Sequence, residues 1–295
     1  MGDGRYNFVS RSERSVSLGY MDKAPDEIFL QNKKKQIHES MEPSKALLRE
    51  SRDSESNPNS LPIIIALDVT GSMRTIPHSL VKEGLPNMVA NMVQRGVADP
   101  AILFLGIGDH TCDTAPLQVG QFESGDAELD LWLTRTWLEG HGGSNNGESY
   151  LLAWYFASKH TITDAWEKRG QKGFLFTIGD EPCLDSLPKH AIEELMGKEP
   201  QSSYTARELL EAAQERYEVF HLHMMQGNDG RNSLHYWEKL LGQRCIVVDD
   251  YDKVGDIIAE TVVSHTENRV SSEPKPKKKV VKDEPVVLKP EEEIL

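Results

Sequence analysis

Beyond residue 60 the chain alternates short apolar runs with stretches of helical periodicity. Pro62-Ile63-Ile64-Ile65-Ala66-Leu67 is an unbroken apolar run that stops at Asp68, as expected of a strand buried on both faces. Leu80, Leu85, Met88 and Met92 then recur at helical spacing. Ala101 to Ile107 reads as a second buried strand, and Leu117-Gln118-Val119 as the returning arm of a hairpin. Helices are expected at about 126–138 and 148–168. A third buried strand, Gly173 to Ile178, closes on Gly179-Asp180. Helices at about 188–197 and 205–216 come next, and then a strand from Glu218 to Met224. A helix near 233–241, a strand at Cys245-Ile246-Val247-Val248 and a helix from Val254 to Val263 complete the series. Strands alternating with helices predict an α/β fold, a Rossmann-like, doubly wound, mostly parallel sheet with helices on both faces.

The two ends have a different texture. Residues 1–60 are polar and turn-rich, with a helix-like stretch from about Glu27 to Ile37. They read as a partly ordered extension, either loose or packed on the core, since Tyr20, Ile28, Phe29, Leu47 and Leu48 need burial. Residues 61–267 form the domain. Residues 268–295 carry Pro274, Pro276, Pro285 and Pro290 and end in an acidic run, the composition of a disordered tail.

Charge narrows the partners. The formal net charge is −14, and all of the excess falls within residues 61–267. That balance argues against general nucleic-acid binding and against adhesion to anionic lipid. Lys277-Lys278-Lys279 is short and proline-flanked, so it reads as solvated tail. The longest apolar run is too short to span a membrane. No secretory leader is visible, and Tyr6 stands where myristoylation after Gly2 needs Ser or Thr. Cys112, Cys183 and Cys245 are odd in number and widely spaced, which fits reduced thiols in a cytoplasmic protein.

Three polar clusters fall where strands end or helices begin. They are Asp68-Val69-Thr70-Gly71-Ser72, Gly142-Gly143-Ser144-Asn145-Asn146-Gly147-Glu148, and Gly179-Asp180-Glu181-Pro182. In an open α/β sheet, ligands bind at the carboxyl ends of neighbouring strands. Carboxylates and small hydroxyls there are hard oxygen donors suited to Mg²⁺, Ca²⁺ or Mn²⁺. The same residues also have a purely structural reading. Asp68 and Ser72 are favoured helix caps, and Asp180 could cap the turn before Pro182.

An apolar strand, Asp-x-Thr-x-Ser, a helix, Gly-Gly-Ser and a later strand ending in Gly-Asp together resemble the von Willebrand factor A domain with its metal-ion-dependent adhesion site. The resemblance spans about residues 61–266. It implies Asp68, Thr70 and Ser72 as ligands from the first loop, Ser144 as the second-loop hydroxyl and Asp180 as the third-loop carboxylate. Thr70 stands where the family usually has Ser, and Ser144 where it usually has Thr. Asn145 is an alternative donor to Ser144. The family role this implies is a metal-dependent protein-binding module. An acidic residue of a partner completes the ion's shell, within bacterial or phage assemblies that include ATPases or stress-response proteins.

Other candidates carry less. Glu148 and Glu181 lie close to the implied ligands, although acids at helix starts are common for dipole reasons. His141 could line the rim. Asp109-His110-Thr111-Cys112-Asp113 reads as turn chemistry more than a second metal site, and His221 and His223 as core or surface histidines. A haloacid-dehalogenase-type phosphatase would need a second carboxylate where Thr70 stands. No phosphate-binding P-loop or nucleophile elbow is present. The chain therefore reads as a binding module rather than an enzyme. The alternatives are a hydrolase using the same ligands with Glu148 or Glu181 as base, and a metal-free scaffold.

Overall fold

The computed structural model describes residues 4–97, 99–140, 147–197, 202–225 and 227–272. Six strands form the central sheet: β1 (Leu61–Asp68), β2 (Pro100–Ile107), β3 (Leu117–Val119), β4 (Gly173–Gly179), β5 (Tyr217–Met224) and β6 (Cys245–Val248). Their order across the sheet is β6-β5-β4-β1-β2-β3, and only β3 runs antiparallel, folded back on β2. The sheet is Rossmann-like and doubly wound, as its alternating pattern predicts. The chain winds from β1 to one edge, then crosses over to β4 and winds to the other. The switch point therefore lies between β1 and β4, where such sheets bind ligands.

Period-two alternation divides β1 between two cores. Ile63, Ile65 and Leu67 join a core with the 75–94 helical segment and the last helix, Val254–Ser272. Ile64 and Ala66 join a core on the other face with helices Leu151–Lys159, Ala206–Arg216 and Gly227–Leu241. Both faces of β1 are covered, which is why its sequence is apolar throughout rather than alternating.

Some elements differ from expectation. The region read as one helix over 148–168 is helix Leu151–Lys159, a short strand Thr161–Thr163 and a second helix Asp164–Arg169. The β-branched Thr161-Ile162-Thr163 run pairs in parallel with Arg49–Ser51 of the N-terminal segment. The helix expected from Leu80 starts earlier, at Thr75, and contains a π-helical turn, Leu80–Gly84, before continuing as Leu85–Gln94. The stretch from Glu27 to Ile37 breaks into two short helices, Pro25–Ile28 and Gln31–Lys34.

The N-terminal residues pack on the domain. Tyr20, Ile28 and Phe29 are buried in the core that holds Leu67, whereas Leu48 stays exposed. A helix not expected from the sequence, Phe8–Leu18, starts at Asn7, whose side chain accepts from Ser10 N–H. It docks through charge rather than apolar contact. Arg11 is 2% exposed; its Nε lies 2.8 Å from Asp130 Oδ1, and its Nη2 donates to the Val81 carbonyl in the π-helical turn. Arg14 pairs with Asp126 and Asp130 of helix Asp126–Thr134. Among the described residues no helix is long and apolar enough to cross a membrane.

Candidate functional site

Asp68 is the last residue of β1 and is 1% exposed. Leu67 pairs with Ile178, so Asp68 and Gly179 are the next positions along β1 and β4, with Asp180 just beyond. Both carboxylates therefore sit at the switch point, and both are buried. The Asp68 carboxyl is fixed from two sides. Oδ1 accepts from Thr70 N–H at 2.8 Å and from Thr70 Oγ1 at 2.5 Å, and Oδ2 accepts from the Tyr150 hydroxyl at 2.9 Å. Burial pushes its pKa well above the ordinary carboxylate range. The Thr70 hydrogen bonds oppose that rise, and the Asp180 charge adds to it. Ser72 lies two residues beyond Thr70, in the single 3-10 turn Gly71–Met73.

Tyr150 was not legible as a site residue in the sequence. Its ring is fully buried and packs edge-on against His221 and Trp237. A buried phenol has to find an acceptor, and here the acceptor is Asp68. Gly179 makes room for it: a Cβ at that position would lie 1.8 Å from Tyr150 Oη and 3.0 Å from Asp68 Oδ2.

The second and third loops are joined to the first through the main chain. Gly140 N–H donates to Val69 O at 3.2 Å, on one side of residues 141–146. On the other side, Glu148 forms a parallel bridge with Cys183. Glu148 N–H donates to Pro182 O at 2.9 Å, and its carbonyl accepts from Leu184 N–H at 3.0 Å. Helix Gly227–Leu241 holds the third loop: Ser233 donates to the Asp180 carbonyl, and Trp237 Nε1 to the Glu181 carbonyl at 2.9 Å. Ser144, His141 and Asn145 lie outside the described residues.

Glu148 is 4% exposed, and its Oε2 is buried with no hydrogen-bond partner among the described residues. Burial raises its pKa far above the usual value, and the charges of Asp68, Asp113, Asp109 and Glu181 push the same way. Its acidic neighbours in the 109–113 loop are differently placed. Asp109 accepts from Thr111 N–H at 2.7 Å and Thr111 Oγ1 at 2.9 Å, and Asp113 Oδ2 accepts from Asp109 N–H at 2.7 Å. Those bonds close a local turn, as the residue types there imply. His110 lies against Ser149, with Nδ1 and Oγ 2.7 Å apart, which ties this turn to the start of helix Leu151–Lys159.

His221 and His223 are core residues. His221 stacks on Trp237 with ring centroids 3.5 Å apart and lies 2.9 Å from Thr177 Oγ1; His223 Nε2 bonds the Gly230 carbonyl. Burial drives the His221 pKa far down and lowers that of His223, so both are neutral spacers beneath the site.

The donor chemistry fits a hard divalent cation: two buried carboxylates on neighbouring strand ends, a threonine hydroxyl beside one of them, and the orphaned Glu148 oxygen. Among the described residues no three Asp, Glu, His or Cys side chains converge as a metal-binding group. An ion here would draw the rest of its shell from hydroxyls and water, as small hard cations do.

No protein-family model matches the chain, and no curated protein matches its sequence. Similar solved structures include the pilus adhesin SpaC from Lactobacillus rhamnosus GG in its open conformation, at 11% identity and a TM-score of 0.49, covering 74% of this chain and 31% of that one. The vWF domain of the type V pili tip protein Mfa5 from Porphyromonas gingivalis matches at 9% identity and a TM-score of 0.45, covering 72% of this chain and 95% of that one. An aerotolerance-related membrane protein from Bacteroides fragilis matches at 12% identity and a TM-score of 0.37, covering 70% and 99%. The chain spans less than half the length of SpaC and of the mussel thread protein PTMP1, 31% and 47% respectively.

Proposed function

We propose that the chain is a divalent-cation-dependent protein-binding module that takes an acidic residue of a partner through an ion at the β1/β4 switch point. The observation that carries this reading is the placement of Asp68 and Asp180 on adjoining strand ends, with the Asp68 carboxyl held by Thr70 and Tyr150. Asp68 and Asp180 would hold the ion, with Thr70, Ser72 and Ser144 as hydroxyl donors. The ion, Mg²⁺ or else Ca²⁺ or Mn²⁺, would supply a positive point on an acidic surface, so that a partner's carboxylate becomes attractive rather than repelled. The partner would belong to a bacterial or phage assembly, such as an ATPase or a stress-response protein. Three unpaired cysteines support a reducing, cytoplasmic setting.

Affinity purification from the native host, with Mg²⁺ and with EDTA, tests the reading. The partner should be retained only with Mg²⁺, and Asp68→Ala should lose it while keeping the fold. Retention in EDTA overturns it. A hydrolase working through the same ligands would instead turn over phosphoester substrates with Mg²⁺ or Mn²⁺ and lose that turnover in Asp180→Ala.

A further inference from the structure

We propose that Glu148 is a positioning residue for the cation, its carboxylate accepting a hydrogen bond from a water on the ion. This rests on the cation site proposed above and adds a residue from outside the three-loop motif.

Hydrogen-bond donors are unevenly distributed around the site. Asp68 receives three hydrogen bonds, and the turn itself occupies Asp109 and Asp113. Glu139, farther out, receives the main-chain N–H groups of Thr114 and Ala115, each at 3.0 Å. Glu148 has a buried oxygen that receives no hydrogen bond from the described residues. A buried acceptor without a donor costs on the order of 1–3 kcal/mol, more when charged. An acid buried among other acids is still less favourable.

The main chain gives Glu148 little freedom to escape this position. Its N–H and carbonyl are both committed to the bridge with the 182–184 segment, and Ser149 N–H donates to the Gly108 carbonyl at 3.3 Å. The same pairing that joins the second and third loops fixes Glu148 two residues before Tyr150, whose hydroxyl bonds Asp68, and the Asp68 charge is among those that act on the Glu148 carboxyl. A cation between Asp68 and Asp180 would offset the charge of the acids gathered there. Water bound to a divalent ion is a strong donor, and Mg²⁺ keeps several such waters. Glu148 supplies the acceptor that one of them lacks. Hydrogen bonding from outside the ligand shell in this way orients the ion's ligands, and its loss costs about 10–100-fold in affinity.

The test is a calorimetric titration of the full chain with Mg²⁺ alone, on wild type, Glu148→Gln and Asp68→Asn, together with melting in EDTA. Wild type should bind Mg²⁺ and Asp68→Asn should not. Glu148→Gln should bind about 10–100-fold more weakly, yet melt in EDTA no lower than wild type, because the amide keeps the shape and removes the buried acid. Equal Mg²⁺ affinity in wild type and Glu148→Gln overturns the role of Glu148 and leaves the cation site standing. A melting loss in Glu148→Gln that is as large in EDTA as in Mg²⁺ also overturns it, because that marks a structural role. Absence of Mg²⁺ binding by wild type overturns the cation site itself and this inference with it. If Glu148→Gln does not fold, Glu148→Asp, which withdraws the carboxylate by one methylene, is read in the same titration. Unchanged affinity there overturns the proposal.

Discussion

The Tyr150 hydroxyl donates to Asp68 Oδ2 at 2.9 Å through a gap that exists because residue 179 has no side chain. A methyl at 179 would collide with that hydroxyl. Gly179→Ala should therefore destabilise the fold by about 2–3 kcal/mol, the usual scale for overpacking a filled core. Tyr150→Phe alone should cost about 1 kcal/mol for the lost hydrogen bond. The double variant should be more stable than the sum of the two predicts, because removing the hydroxyl takes away the closest contact and leaves the milder one to the ring Cζ, 2.7 Å from a Cβ at 179. Urea unfolding of all four proteins measures this coupling, and strict additivity would show that the two positions do not share the space.

Burial raises the pKa of both Asp68 and Glu148, so each binds a proton more readily in the folded chain than once unfolded. For an acid raised on folding, the folded state binds more protons, so stability falls as pH rises from the ordinary carboxylate range toward the raised value. In EDTA, the melting temperature should therefore drop as pH rises from the ordinary carboxylate range to about 7 through Asp68, and keep falling toward about 10 through Glu148. Saturating Mg²⁺ should flatten or reverse that slope, because an ion competes with the protons for the same oxygens. An unchanged slope on adding Mg²⁺ counts against an ion at these carboxylates.

Thr70 should matter more to the ion than to the fold. Thr70→Val removes one of the two Thr70 donors to Asp68 Oδ1 but keeps the main-chain N–H. The expected stability loss in EDTA is about 1 kcal/mol. The rise in melting temperature on adding Mg²⁺ should shrink in this variant and survive in Thr70→Ser.

The N-terminal helix is held by a buried charge. Arg11→Ala leaves Asp130 with Arg14 alone and the Val81 carbonyl without its Arg11 donor. Breaking a buried pair from one side costs about 3–5 kcal/mol. Arg11→Met combined with Asp130→Leu should recover much of that loss, since an apolar pair of similar size avoids the stranded charge. Denaturant midpoints compare the two directly.

Elements governed by local rules are legible in the sequence. The apolar run ending at Asp68 is legible as a strand because it is short, rich in β-branched isoleucine and apolar on both faces, and the doubly wound sheet is expected from strands alternating with helices. Asp68, Thr70 and Asp180 are visible because a strand end is visible. Tyr150 is not, because an aromatic just ahead of an apolar helix gives no sign that its hydroxyl meets an aspartate 82 residues earlier. Helix Phe8–Leu18 escapes for a related reason: Arg11 and Arg14 look like a solvent-facing stripe until Asp130 and Asp126 are placed beneath them. The strand Thr161–Thr163 escapes because its partner, Arg49–Ser51, lies more than a hundred residues upstream.

The main-chain bonds at Gly140 and Glu148 bear on how the site could be re-engineered. The segment between them enters from a residue tied to the first loop and leaves through one tied to the third. Both anchors are main-chain bonds made by residues outside 141–146, so substitutions within that segment leave the bonded groups of Gly140 and Glu148 unchanged. On the binding-module reading proposed above, side-chain libraries at 141–143 and 145–146, with the serine at 144 kept, would vary what is recognised while leaving Asp68 and Asp180 at their strand ends.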